Sequence, residues 1–283
     1  MQPHQSYLIC ATPRSGSTLL CEALTNTGIA GNPKEYFEAL KDTGLPRRPK
    51  EYFESVENTE ISELLGDYSR LDDESVQPLF WDSSSYADYL MRVTEEGTTP
   101  NGVFGAKLMW GYLGDFISNL QLIPSYRNMT VPDLLSTIFP NLQYIRVTRL
   151  DKVRQAVSLW KAIQTWTWKM EVDATSSTNR TQPSSHKLTF NFEAIDHLVQ
   201  QIVVDEASWQ QYFEQSRIQP FTVEYEELTG AYEATLFKIL QYLNIPIPEN
   251  PVLAERRMKK QADALSEEWV QQYHHLKREQ EQH

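Results

Sequence analysis

Cysteine is scarce. Cys10 and Cys21 are the two present in 283 residues, and that count gives no disulfide framework. They fall in an expected strand and an expected helix, where buried free thiols are the default. No apolar run approaches the ~20 residues that a membrane-spanning helix needs. The first apolar run covers residues 7–11 and soon meets Arg14, which is not a signal-peptide pattern. These absences predict a soluble, cytoplasmic protein. Basic charge is also in deficit, with 26 Lys and Arg against 38 Asp and Glu and a net charge of -12. Nucleic acid is therefore excluded as a main partner, because phosphate backbones call for a basic surface. A small polyanion would have to be held in a local cationic pocket.

What is present suffices for one large core: 40% of residues are hydrophobic and 11% aromatic. A single domain over residues 1–283 is expected. Apolar runs at 7–11, 103–109, 142–148 and 220–225 read as strands. Between and after them, helices are expected at 19–28, 85–96, 151–162, 192–216 and 232–243. The alternation predicts an α/β, P-loop-like three-layer fold with a central parallel sheet flanked by helices. Residues 110–136 look mixed, broken by Pro124 and Pro132, and Glu226 opens a turn. Residues 173–187, rich in Ser, Thr and Asn, read as a mobile loop. Ligands in such sheets bind at the carboxyl ends of the strands. The loop after the first strand, Lys107, Arg149 and Tyr225 all fall at such ends.

That first loop reads Thr12-Pro13-Arg14-Ser15-Gly16-Ser17-Thr18. A strand, a small-residue loop and a helix start aim free N–H groups and the positive end of a helix dipole at an anion. Ser15, Ser17 and Thr18 add hydroxyl donors and Arg14 a fixed charge. The loop lacks the Gly-Lys pair of a Walker A motif. The plainer alternative is a strand-turn-helix whose Ser caps the helix. Further on, Pro-Lys-Glu-Tyr-Phe-Glu occurs at 33–38 and again at 49–54. Asn32 before Pro33 reads as a helix N-cap, which would make Glu35 the N3 residue of a capping box. Glu51 has the same local pattern.

Five blocks in order span nearly the whole chain: Arg-Ser-Gly-Ser-Thr at 14–18, Gly-x-Pro-x-Glu-Tyr-Phe at 31–37, Gly-Ala-Lys-Leu-Met-Trp at 105–110, Gln-Ala-Val-Ser-Leu-Trp at 155–160, and Gln-Ala-Asp…Glu-Trp-Val at 261–270. In this order the chain resembles sulfotransferases, most closely the bacterial trehalose 2-sulfotransferase family. The resemblance implies transfer of a sulfuryl group from PAPS to a saccharide hydroxyl, with PAP as product, no metal and no membrane span. It implies that Arg14, Ser15, Gly16, Ser17 and Thr18 hold the donor's 5′-phosphate. It assigns the 3′-phosphate to Arg149 and Ser158, with Lys260 and Gln261 as a C-terminal contact. For Ser158 the alternative is a helix hydroxyl bonding its own backbone; for Lys260 it is a solvated charge cluster.

In the cytosolic animal branch the catalytic His comes from Lys-x-His. Here the stretch is Lys107-Leu108-Met109, and His4, His186, His197, His274, His275 and His283 lie outside the blocks. A carboxylate base is implied, and in the resembled family it falls on Glu35, with Glu38 and Glu51 as alternatives. Arg14 would stabilise the charge on the bridging oxygen, with Lys107 a second candidate that could instead pair a carboxylate. Tyr225 resembles an adenine-side Tyr; Trp110, Trp166 and Trp168 are either core or stacking residues. The resemblance also implies a homodimer, with residues 110–116 as an exposed aromatic contributor. Two other classes compete: a nucleotide-dependent kinase, and a catalytically silent PAP-binding protein.

Overall fold

The computed structural model describes residues 2–66, 79–165, 188–246 and 263–282. The segment 173–187, Trp166, Trp168, Lys260 and Gln261 lie outside the described residues. The chain falls into two compact units. One comprises Met1–Pro46, Gln77–Leu150 and Val204–Glu255; the other comprises Arg47–Val76, Asp151–Val203 and Arg256–His283.

The first unit contains a four-stranded sheet of β1 (Gln5–Ala11), β2 (Val103–Met109), β3 (Leu142–Thr148) and β4 (Phe221–Glu224) in the order β2-β1-β3-β4. Every neighbouring pair is parallel. Tyr7, Leu8, Ile9 and Cys10 of the inner strand β1 are fully buried, as an unbroken apolar strand in a covered parallel sheet should be. Helices flank the sheet: α1 (Ser17–Asn26), α3 (Ser83–Glu96), α4 (Trp110–Leu120), α5 (Val131–Ile138), α8 (Tyr225–Gly230), α9 (Tyr232–Tyr242) and the later part of α7 (Phe192–Gln215). With the β1–loop–α1 start, this is the expected α/β, P-loop-like architecture. Aromatic rings fill one part of its core. Phe37 stacks on Phe116 with centroids 4.0 Å apart, and Phe104 on Phe139 at 5.2 Å. Cys10 and Cys21 are free and buried. No helix among the described residues is long and apolar enough to cross a membrane.

The second unit is helical. It holds α2 (Thr59–Gly66), α6 (Lys152–Thr165), α10 (Ala264–Glu281), the beginning of α7 and a short 3-10 turn, Pro49–Tyr52. Its core gathers Phe53, Trp160, Ile195, Leu198, Trp269 and Val270. The Trp160 indole N–H donates to the Thr189 carbonyl at 2.9 Å. Arg154 on α6 donates to both Asp151 and Glu267, and Lys161 pairs with Asp263 at 2.7 Å. Asp263 also accepts from the Ser266 N–H as the N-cap of α10. Burial alone would raise the Asp263 carboxyl; the hydrogen bonds from Lys161 and Ser266 and the Lys161 charge outweigh that and bring its pKa to about 2.

Some expectations are corrected. Residues 110–136 form two helices and a 3-10 turn rather than a mixed stretch. Pro132 lies in the first turn of α5 behind the Thr130 cap, where a missing N–H breaks no helical bond. Pro124 likewise opens the 3-10 turn Pro124–Tyr126. The aromatic part of 110–116 is not exposed: Tyr112 and Phe116 are 8% and 1% accessible, and Trp110 sets its ring edge-on against Trp209. Glu226 lies in a six-residue helix that follows β4 directly, not in a turn.

Candidate active site

The loop between β1 and α1 turns through two left-handed residues, Arg14 (φ 62°) and Gly16 (φ 93°). Alternating handedness of this kind makes successive N–H groups converge on a concave, anion-binding surface. Gly16 is the N-cap of α1 and no side chain caps the helix, so the Ser cap of the plainer alternative is not formed. The first-turn N–H groups of an α-helix have no partner within the helix itself. Ser15 is fully buried and its hydroxyl oxygen has no hydrogen-bond partner. A buried polar atom without a partner is costly, and a bound anion at this loop would satisfy it. The loop therefore has the donors to hold an anion.

Gly16 is also pressed from outside. A Cβ there would lie 2.5 Å from the Tyr225 ring. The Arg149 guanidinium stands over that same ring, 4.6 Å from its centroid. β3 ends at Thr148, and Tyr225 follows β4 at the start of α8. The strand ends thus bring Arg149, Tyr225 and the loop together, as the parallel register demands.

Residues 31–37 do not form the expected helix. Asn32 caps nothing; its side-chain amide donates to the Glu96 carbonyl. Its backbone N–H bonds to Gly97 O at 2.9 Å. Lys34 forms a parallel bridge with Ala106, and the Lys107 N–H donates to the Lys34 carbonyl at 2.9 Å. The segment meets the outer edge of β2 at Lys34 and turns at Tyr36 and Phe37; the unpaired backbone groups of an edge strand attract such pairing. Gly31 makes the approach feasible. It has φ 74°, and a Cβ there would sit 2.7 Å from the Gly105 nitrogen.

This placement sets Glu35 against Lys107. Lys107 Nζ lies 2.7 Å from Glu35 Oε2 and donates to Thr18 Oγ1 at 3.3 Å. The lysine side chain is 7% exposed and the glutamate 23%. Burial would lower the lysine pKa, but the Glu35 charge opposes it, aided by Cys21 and by the hydrogen bond to Glu35. The net effect is a pKa above the ordinary lysine value, so Lys107 stays charged. The second copy of the hexapeptide behaves as the sequence predicts. In the 3-10 turn Glu51 accepts from the Arg48 backbone N–H at 2.6 Å and forms the capping box. One copy spends its glutamate on a cap and the other directs it to a buried cation.

Glu35, Lys107, Arg149, Tyr225 and residues 14–18 all belong to the sheet-containing unit. Ser158 is half-buried on α6, in the helical unit. An aromatic cluster that the motifs did not reveal lies beside Tyr36, next in sequence to Glu35. Trp81, Tyr86 and Tyr89 line a small pocket with Tyr36, Phe37 and Asn119. The Trp81 and Tyr89 rings are 4.6 Å apart, and the Tyr89 hydroxyl donates to the Tyr36 carbonyl. The hint in the sequence was the spacing of Tyr86 and Tyr89 on one helix, with Trp81 just before its Asp82 cap.

Comparison with known proteins gives this geometry a family. The chain is 30% identical over 270 residues to a trehalose 2-sulfotransferase of Mycolicibacterium smegmatis, covering 95% of this chain and 94% of the relative. It is 31% identical over 269 residues to a trehalose 2-sulfotransferase of Mycobacterium tuberculosis, covering 94% and 93%. Among solved structures, the sulfotransferase domain of the Synechococcus PCC 7002 olefin synthase matches with a TM-score of 0.42 at 16% identity, covering 95% of this chain and 88% of that one. The model of the Stf0 sulphotransferase family matches residues 6–276, and the chain belongs to that family.

Proposed function

We propose that the protein moves a sulfuryl group from PAPS to a hydroxyl of a saccharide, trehalose or a related sugar or glycolipid. Two relatives named trehalose 2-sulfotransferase, alike over almost their full length, support the acceptor class. The observation that carries the reading is the carboxylate of Glu35 held through Lys107 to the first turn of α1. A base beside an anion-binding loop is what in-line transfer to an alcohol needs.

Glu35 takes the proton of the acceptor hydroxyl as its oxygen attacks sulfur. The new O–S bond forms as the S–O bond to the 5′-phosphate breaks, and the electron pair of that bond stays on the phosphate oxygen. Arg14 and the N–H groups of residues 15–18 stabilise the charge that collects there, aided by the hydroxyls of Ser15, Ser17 and Thr18. Arg149 binds the 3′-phosphate, with Ser158, Lys260 and Gln261 as its further contacts. Trp81 and Tyr89 offer the acceptor's sugar ring an aromatic face.

The test is Glu35→Gln, assayed for turnover and for binding of PAPS. Binding is expected to persist while turnover falls by roughly 10² or more. Turnover close to wild type would remove Glu35 from the chemistry.

A further inference from the structure

Lys107 touches a carboxylate on one side and the first turn of the anion-binding loop on the other, and has one charge to give. Its ammonium bonds Glu35 Oε2 at 2.7 Å and Thr18 Oγ1 at 3.3 Å. Thr18 belongs to the uncapped first turn of α1, where the anion loop delivers its N–H groups. At 7% side-chain exposure, Lys107 cannot leave its charge unpaired without a large desolvation cost. Glu35 is more exposed and half-buried, so it can exchange its partner for an acceptor hydroxyl. The backbone that carries the two residues is fixed: Lys34 is bridged to Ala106, and the Lys107 N–H is bonded to the Lys34 carbonyl. Only side-chain rotation is needed to move the ammonium from one anion to the other.

We infer that Lys107 is a positioning residue that couples the two substrates: it holds Glu35 until an anion fills the loop, then turns to that anion and frees Glu35 for the acceptor. This rests on the donor and base roles proposed above. Without nucleotide, Glu35 is tied to Lys107 and the acceptor lacks its polar anchor. With nucleotide, the 5′-phosphate competes for the ammonium and the anchor is released. The coupling is reciprocal, as any coupling between two binding equilibria must be. It makes donor-first binding the favoured order.

The experiment is calorimetric titration of trehalose into the protein with and without PAP. In the wild type, PAP should tighten trehalose binding roughly tenfold, within the usual range of such couplings. Lys107→Met should bring that ratio to about one, because Glu35 is then free from the start. Lys107→Arg, which keeps the charge, should retain part of the ratio. A wild-type ratio retained in Lys107→Met would overturn the inference, as would a wild-type protein that shows no ratio at all. If circular dichroism shows Lys107→Met unfolded, Glu35→Gln breaks the same pair from the other side. The ratio should vanish there too, and its persistence would overturn the inference. The turnover assay of Glu35→Gln separates the two claims. Loss of turnover in Glu35→Gln, together with a wild-type protein that shows no PAP-dependent ratio, leaves the base role standing and removes Lys107. Trehalose that binds in neither state counts against both.

Discussion

The Tyr225 ring leaves no room for a side chain at residue 16, and the backbone there is left-handed. A methyl group would meet the ring, and the φ of 93° would be strained by about 1–2 kcal/mol for any L-residue with a Cβ. Gly16→Ala should therefore push on the Tyr225–Arg149 stack and the loop together. The expected outcome is a fall of at least roughly tenfold in PAP affinity, about 1.4 kcal/mol, read by calorimetry. Gly28→Ala is the control. It has a similar positive φ of 68° but open space around it, so it should cost stability while leaving PAP affinity near wild type. Equal PAP affinity in the two variants would mean that the loop does not hold the nucleotide. The loop residues were legible in the sequence because small residues between an apolar strand and a helix have few other uses. The Tyr225 contact was not legible, since it joins positions that only the sheet register brings together.

The duplicated hexapeptide shows how an element decides a residue's role. Local pattern alone gives Glu35 and Glu51 the same capping position, and in the structure Glu51 takes it. Glu35 does not, because β2 offers its edge and Gly31 lets the chain approach that edge. The sequence signal was the Gly-Asn before the first Pro against Arg-Arg before the second. Glu51→Gln should lose a charge-assisted cap and destabilise the fold by about 0.5–1.5 kcal/mol in a urea melt, with turnover unchanged. A large loss of turnover in Glu51→Gln would reverse the assignment of the two glutamates. The strands were the most legible elements: β2 and β3 fall where their apolar runs predicted. The helices in 110–136 were hidden because proline breaks a helix interior but suits its first turn, and the sequence does not announce which of the two applies.

At the scale of the whole molecule, a protein of net charge -12 is proposed to bind a nucleotide with several negative charges. The sheet-containing unit carries Arg14, Lys107 and Arg149 near one loop, and under that proposal local field rather than total charge would govern binding. The family match over residues 6–276 runs through both units. The most direct measurement is PAP release when wild-type protein is mixed with PAPS and a panel of sugars that includes trehalose. Release should require both PAPS and a sugar, and should fall by roughly 10² or more in Glu35→Gln. Stabilisation by ATP–Mg²⁺ with none by PAP, and no PAP released with any sugar, would contradict the account.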